Sequence, residues 1–136
     1  MRQEISYGIV PFIKKEGQWH LFLVQHKQGH WAMPKGHLEP GEKPLETASR
    51  ELLEETSLHI EKILSEDALI EEYQFRKGKE LIHKQVGYFP AIVSGTPVLQ
   101  LVELKAGRWF SLDEALNTIT FKEAKAILSA AIQFLS

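Results

Sequence analysis

The sequence predicts an α+β fold, in which helices cover a mixed β-sheet. Three observations lead there. Strand-like runs come in adjacent pairs joined by short polar turns, as hairpins do. Two segments, one after Gly41 and one at the C-terminus, carry apolar residues at helical spacing. The order strands, helix, strands, helix lacks the regular βα alternation of a doubly wound sheet. The 136 residues suit one domain, 1–136. With 43% hydrophobic and 25% charged residues, the chain can build one proper core.

Ser6–Ile13 and His20–Val24 are β-branched or aromatic runs, and KKEGQ reads as the hairpin loop near them. Pro11 predicts that the first strand is an edge or carries a bulge. Gly29–Gly41, with Pro34, Gly36, Pro40 and Gly41, reads as a loop. His30, Trp31, Lys35, His37 and Glu39 are unusual filler for it. Pro44 opens a helix at its first turn, where proline is tolerated, and the helix runs to about Thr56. At about 100° per residue, Glu54 and Glu55 lie roughly −60° and +40° from Glu51, and Arg50 about −100°. Leu45, Ala48, Leu52 and Thr56 cluster near roughly +100° and form the stripe facing the core.

Asp67–Phe75 and Leu81–Val93 read as strands joined by the turn RKGKE, and Arg108–Phe110 as a short strand. Ser111–Glu114 and Thr120–Glu123 both have capping-box form. The second opens a final helix with Phe121, Ala124, Leu128, Ala131, Ile132 and Leu135 at helical spacing. Trp19 and Trp109 read as core.

Charge and composition exclude several functions. A net charge of −2 and a pI near 6.3 give no broad cationic field for nucleic acid. The absence of cysteine rules out disulfides and thiolate metal sites. No run approaches the length of a membrane span, and the N-terminus lacks an apolar signal region. The expectation is a soluble cytoplasmic protein with no membrane or nucleic-acid partner, and a monomer.

The chemistry concentrates in Gly36–Leu58. Glu51, Glu54 and Glu55 stand at i, i+3 and i+4 and share a helix face. Each close like-charge pair costs roughly 0.2–0.5 kcal/mol unless a cation sits among them. The simplest relief is a divalent metal, and carboxylate oxygens without thiolates suit Mg²⁺ or Mn²⁺. A hard cation held by a few protein oxygens leaves positions for phosphate. The residues therefore point to metal-dependent cleavage of a phosphate ester or anhydride.

The pattern Gly36-x5-Glu42-x7-Arg50-Glu51-Leu52-x-Glu54-Glu55-x-Ser57-Leu58 resembles the signature of the Nudix hydrolases. One fixed position departs: Ser57 stands where the family has glycine. A left-handed backbone is common at a helix C-terminus, so serine there costs about 1 kcal/mol without removing a ligand. The resemblance implies an α/β/α sandwich around a mixed sheet. It also implies attack of water on a phosphorus of a nucleoside diphosphate linked to a further group. Carried over, Glu51, Glu54 and Glu55 hold the ions with the Gly36 carbonyl, Arg50 orients the carboxylates, and Glu42 supports the loop or a metal-bound water. Glu51, Glu54 and Glu103 are alternative general bases.

His30–Glu42, Phe121–Ala126 and the spacing of Glu103 from Trp109 resemble the asymmetric diadenosine tetraphosphate hydrolases of that family. This implies hydrolysis of diadenosine tetraphosphate, a small dinucleoside polyphosphate, to ATP and AMP, with Glu103 reaching the metal. Other Nudix substrates are the alternatives: deoxynucleoside triphosphates, diphosphoinositol phosphates or a capped RNA 5′ end. A nucleotide-binding regulator without turnover is an alternative of another class. Lys84 and His37 are candidate phosphate contacts, with Lys35, His30 and His83 behind them. Lys84 and Tyr88, four apart on a strand, share a face; the bland reading is a surface lysine and a half-buried tyrosine. Tyr73 and Phe121 are candidates to stack on adenine, a contact worth roughly 1–3 kcal/mol. Phe121 could instead anchor the last helix, and Tyr73 could be a cross-strand partner. Trp31 is read as an exposed residue shaping the site entrance.

Overall fold

Two long apolar strands, β1 (Arg2–Lys15) and β7 (Glu80–Ser94), pair in parallel from Arg2↔Ile82 to Phe12↔Ile92 and form the spine of the sheet. The structure is a computed structural model and describes residues 1–136. Around this spine run β2 (Gln18–His26), β3 (Trp31–Ala32), β4 (Lys35–His37), β5 (His59–Ile63), β6 (Leu69–Lys77) and β8 (Leu104–Ser111). The sheet order is β3-β2-β1-β7-β5, with β4 also on β1, β6 on β7 and β8 on β2. Every pairing except β1–β7 is antiparallel. The helices are α1 (Pro44–Thr56), α2 (Leu112–Thr118) and α3 (Lys122–Ile132).

Side chains alternate across this sheet, so its two faces bury different sets. Ile9, Phe22, Phe89 and Ala91 pack with Ala48 and Leu52 of α1. Val10, Phe12, Leu21, Leu23 and Tyr88 pack with Ala115 of α2 and Ala124, Ile127, Leu128 and Ala131 of α3. The result is the expected α/β/α sandwich with a mixed sheet.

Pro11 is not on an edge strand. β4 pairs β1 at Ser6–Gly8, and β2 takes over only at Phe12. The Ile9 N–H bonds the Pro34 carbonyl on that flank. Two residues on, the nitrogen of Pro11 faces the same flank, in the gap between the two partners, where no donor is needed. Pro90 lies at the matching changeover on β7, between β6 and β5.

Helix α1 has the expected bounds, and Pro44 stands at its first turn. Its last residue is followed by Ser57 at φ 64°, ψ 6°, the left-handed conformation expected at that place. Ser57 donates its backbone N–H to the Leu53 carbonyl and its hydroxyl to the Val98 carbonyl. Three other expectations are corrected, and one strand was not expected at all. The 29–41 loop contains β3 and β4, because each finds a strand partner. β5 has no alternating signal, since its five residues are largely exposed, and the sequence reading passed over it. Thr120 does not cap α3: its hydroxyl accepts the Trp31 N–H, and Phe121 occupies the N-cap position without a side-chain bond. Trp19 and Trp109 lie at the margins of the core rather than inside it. The box at Ser111 is present, with Ser111 and Glu114 bonding reciprocally.

Candidate active site

The acidic ridge of α1 faces β4, and Gly36 permits the approach. A Cβ at Gly36 would lie 2.0 Å from Glu51 Cδ, so only glycine lets that carboxyl group rest against the strand. Arg50 organises the other side. Its Nε and Nη2 donate to the two oxygens of Glu42 at 2.6 and 2.9 Å. Its Nη1 donates to Glu51 at 2.9 Å and reaches Glu54 at 3.2 Å. Nη2 also reaches the His37 carbonyl at 3.2 Å. Glu42 further accepts from the Thr47 hydroxyl and the Glu39 N–H, and its bond to Arg50 lowers its pKa to about 2.

Glu55 is different. It is 8% exposed, and its Oε1 has no hydrogen-bond partner. Burial, then the charges of Glu51 and Glu103, raise its pKa to about 8. Burial also raises Glu51, against the pull of Arg50. These residues line a polar cleft of about 410 Å³ together with Gly36, His37, Lys35, Ser6, Gln100 and Glu103. Glu103 enters it from the turn before β8, where its N–H donates to Gln100 Oε1. The Gln100 N–H in turn donates to the Glu55 carbonyl, tying that turn to the end of α1.

The all-oxygen donor set suits a hard divalent cation, and the orphaned Glu55 Oε1 is an atom that a cation would satisfy. No three of these side chains converge on one point with ligand geometry in this arrangement. Arg50 holds Glu51 and Glu54 toward itself instead.

A second cavity of about 390 Å³ adjoins the cleft, and Lys35 and His26 line both. Its walls include Tyr73, Phe121, Tyr88, His30 and Glu71. His30 stacks on His26 with centroids 4.3 Å apart and planes 9° from parallel, and it touches Phe121 at 5.4 Å. Burial, then the charges of His30 and Lys35, lower the pKa of His26 to about 4, so that ring stays neutral.

The chain matches the NUDIX domain model over residues 2–131. It belongs to the Nudix hydrolase family. Asymmetrical bis(5′-nucleosyl)-tetraphosphatase of Rattus norvegicus is 39% identical to this Nudix hydrolase over 117 residues, 83% of this chain and 78% of that protein. The Caenorhabditis elegans protein of the same name is 30% identical over 133 residues, 95% of this chain and 94% of its own. Among solved structures, a C. elegans Ap4A hydrolase binary complex superposes with TM-score 0.74 at 23% identity, covering 97% of each chain. The NUDIX domain of Shewanella oneidensis NrtR, complexed with ADP-ribose, gives 0.81 at 20% identity over 100% of this chain and 90% of that one. These two show the shared fold. Nudix hydrolases generally use divalent metal ions. No helix of this one is long and apolar enough to cross a membrane.

The residues singled out in the sequence divide between the two cavities. Gly36, His37, Glu51, Glu54, Glu55 and Glu103 meet in the cleft, with Arg50 bonded to its edge. Tyr73, Phe121, Tyr88 and His30 meet in the second cavity, and Lys35 belongs to both. His30 thus lies on the aromatic side rather than among the phosphate candidates. His83 lines neither cavity and pairs with Glu72 at 3.5 Å. Lys84 is no surface lysine: it is buried, with Nζ donating to the Ser6 hydroxyl at 2.7 Å and lying 3.7 Å from Glu4, and it does not itself line the cleft. Tyr88 is fully buried at the floor of the aromatic cavity. Phe121 is 54% exposed, so it does not anchor the core, while Tyr73 lies opposite Lys84 in the β6–β7 register and also lines the cavity. Trp31 is half-buried edge-on against Phe110, not at an entrance. The sequence reading missed His26, Glu71 and Gln100. For Glu71 a signal existed: it stands two residues before Tyr73 on a strand and so shares its face.

Proposed function

We propose that this Nudix enzyme hydrolyses diadenosine tetraphosphate asymmetrically, water attacking one phosphorus to release ATP and AMP. The observation that carries the reading is the adjacency of the two cavities. One is lined by carboxylates with the Lys35 ammonium and the His37 ring, the other by aromatic rings, and Lys35 and His26 line both. A long substrate with a polyanionic middle and flat ends can lie across the pair. The names of the relatives at 30–39% identity support the same substrate.

In this reading Glu51, Glu54, Glu55 and Glu103, with the Gly36 carbonyl, hold Mg²⁺ or Mn²⁺. When bound there, the metal supplies positive charge to phosphoryl oxygens and lowers the pKa of water. Arg50 fixes the rotamers of Glu51 and Glu54, since one guanidinium bonds both and is itself clamped by Glu42. Lys35 and His37 meet the phosphates from the β4 side, and Lys84 contributes charge from beneath Ser6. Tyr73, Phe121 and His30 give the adenine its stacking surfaces, and Tyr88 closes the floor. A carboxylate takes the proton from water; Glu51, Glu54 and Glu103 are the candidates.

Hydrolysis in ¹⁸O-labelled water tests the substrate and the position of attack together. ATP plus AMP, with label on one phosphorus, is the expected result, and two molecules of ADP would refute it. A panel of deoxynucleoside triphosphates, diphosphoinositol phosphates and capped RNA, assayed separately for phosphate, diphosphate and AMP, places the activity elsewhere in the family if one of them turns over faster. Tight nucleotide binding without any turnover would instead favour the regulator.

A further inference from the structure

Glu71 lies on β6 in the wall of the aromatic cavity, and its Oε2 is buried without a hydrogen-bond partner. An orphaned acceptor of this kind is uncommon in a folded protein and costs stability. Lys35 and Glu123 act on it through space, but neither bonds it. Glu123 also lines the cavity, yet it is exposed and can be satisfied by solvent. Tyr73 shares the strand face of Glu71 two residues on and supplies an aromatic wall beside it. A flat ligand in this cavity therefore meets a buried acceptor at its rim.

Resting on the reading of this cavity as an adenine slot, we infer that Glu71 is a specificity-determining residue that accepts a hydrogen bond from the exocyclic amine of the bound base. In a nucleotide the adenine ring has only one donor group, the N6 amine; N7 is an acceptor. A carboxyl oxygen accepts whether or not the group carries a proton. With no proton on Oε2, the amine is thus the one part of adenine able to satisfy it. A base lacking that amine leaves the oxygen orphaned and binds more weakly, because it forgoes the hydrogen bond that the amine supplies to an acceptor already stripped of water in the free protein.

The test compares AMP with purine riboside 5′-monophosphate, which differs from it only in lacking the amine, by calorimetric titration of the intact protein. The wild type should prefer AMP by about tenfold, the size expected for one hydrogen bond to a carboxylate. Glu71→Leu should bring the two within about twofold of each other, while its ligand-free form melts higher. Glu71→Gln keeps an acceptor and should keep most of the preference. Glu72→Leu removes the same charge on the opposite strand face and should leave the preference unchanged. Survival of the full preference in Glu71→Leu would overturn the inference, as would a wild type that binds both nucleotides equally. If Glu71→Leu does not fold, equal binding of the two nucleotides by the wild type still decides against it. Products other than ATP and AMP in the labelled-water experiment would remove the proposed reaction while leaving this comparison intact.

Discussion

Replacing Glu55 by glutamine should stabilise the metal-free protein at alkaline pH and do nothing at acidic pH. Burial and the charges of Glu51 and Glu103 raise the Glu55 carboxyl from 4.5 to about 8. The folded state therefore holds a proton that the unfolded chain releases. Below about pH 4.5 both states keep it, and the group is neutral with respect to stability. Between roughly pH 4.5 and 8 the unfolded chain gives it up first, so stability falls as pH rises. Above about 8 the whole cost is present. At about 1.4 kcal/mol per pH unit the ceiling is ~5 kcal/mol. Sharing of the proton with Glu51 and entry of solvent bring the expected gain for Glu55→Gln to ~2 kcal/mol at pH 9, and to ~0 at pH 4.5. Urea unfolding in chelator, wild type against variant at both pH values, reads the difference directly. Equal effects at the two pH values, or a loss at pH 9, would show that Glu55 is not a buried, uncompensated carboxylate.

Glu54→Gln and Glu55→Gln should each lower turnover at least ~100-fold with circular dichroism unchanged, as expected if these oxygens hold the catalytic metal; wild-type rates in both would remove that role. Gly36→Ala drives a Cβ into the Glu51 carboxyl group, and a displacement of this kind should cost ~100-fold in kcat; a crystal structure or magnesium titration of the variant would show Glu51 shifted. Ser57→Gly relieves a left-handed serine but frees the unfolded chain and loses the hydroxyl bond to Val98, so thermal melting should show a small gain of ~0.5 kcal/mol with kcat unchanged. Glu42→Ala should lower kcat more than it raises KM, because it loosens Arg50 rather than any substrate contact.

Much of this site was legible because its parts lie close together in the chain. Gly36, Glu42, Arg50 and the three glutamates occupy one short strand, the turn after it and one helix, all within twenty residues of chain. The helix bounds followed from Pro44 and the core stripe Leu45, Ala48, Leu52 and Thr56, of which the last three are buried and Leu45 partly so. What could not be read depends on contacts distant in sequence. β3, β4 and β5 are short segments defined by their partners rather than by their own pattern. Pro11 misled because the rule for proline in strands assumes one neighbour per flank, whereas β1 changes neighbours along its length. Thr120 has the form of a cap, but a tertiary donor, the Trp31 N–H, takes its hydroxyl. His26 and Gln100 carry no motif at all; only the folding of β2 and of the turn before β8 brings them to the cleft.

The cost of crowding three carboxylates on one helix was the first reason to place a metal there, and the structure shows that the crowding is relieved in two stages. Arg50 takes the first. One guanidinium bonds Glu42, Glu51 and Glu54, so three of the four glutamates of the motif (Glu42, Glu51, Glu54 and Glu55) have a cation without any metal. Glu55 points to the other side and Arg50 does not bond it; the Lys35 charge offsets only part of the cost of its burial, and its raised pKa lets it hold a proton instead. The chain can therefore fold before it meets a metal, with the costliest burial of a carboxyl group falling on Glu55. On this account metal should stabilise the wild type more at pH 8 than at pH 5, and the excess should vanish in Glu55→Gln. Thermal melts with and without magnesium at both pH values measure it, and an excess that survived the substitution would mean that the relief comes through Glu51 or Glu54 instead.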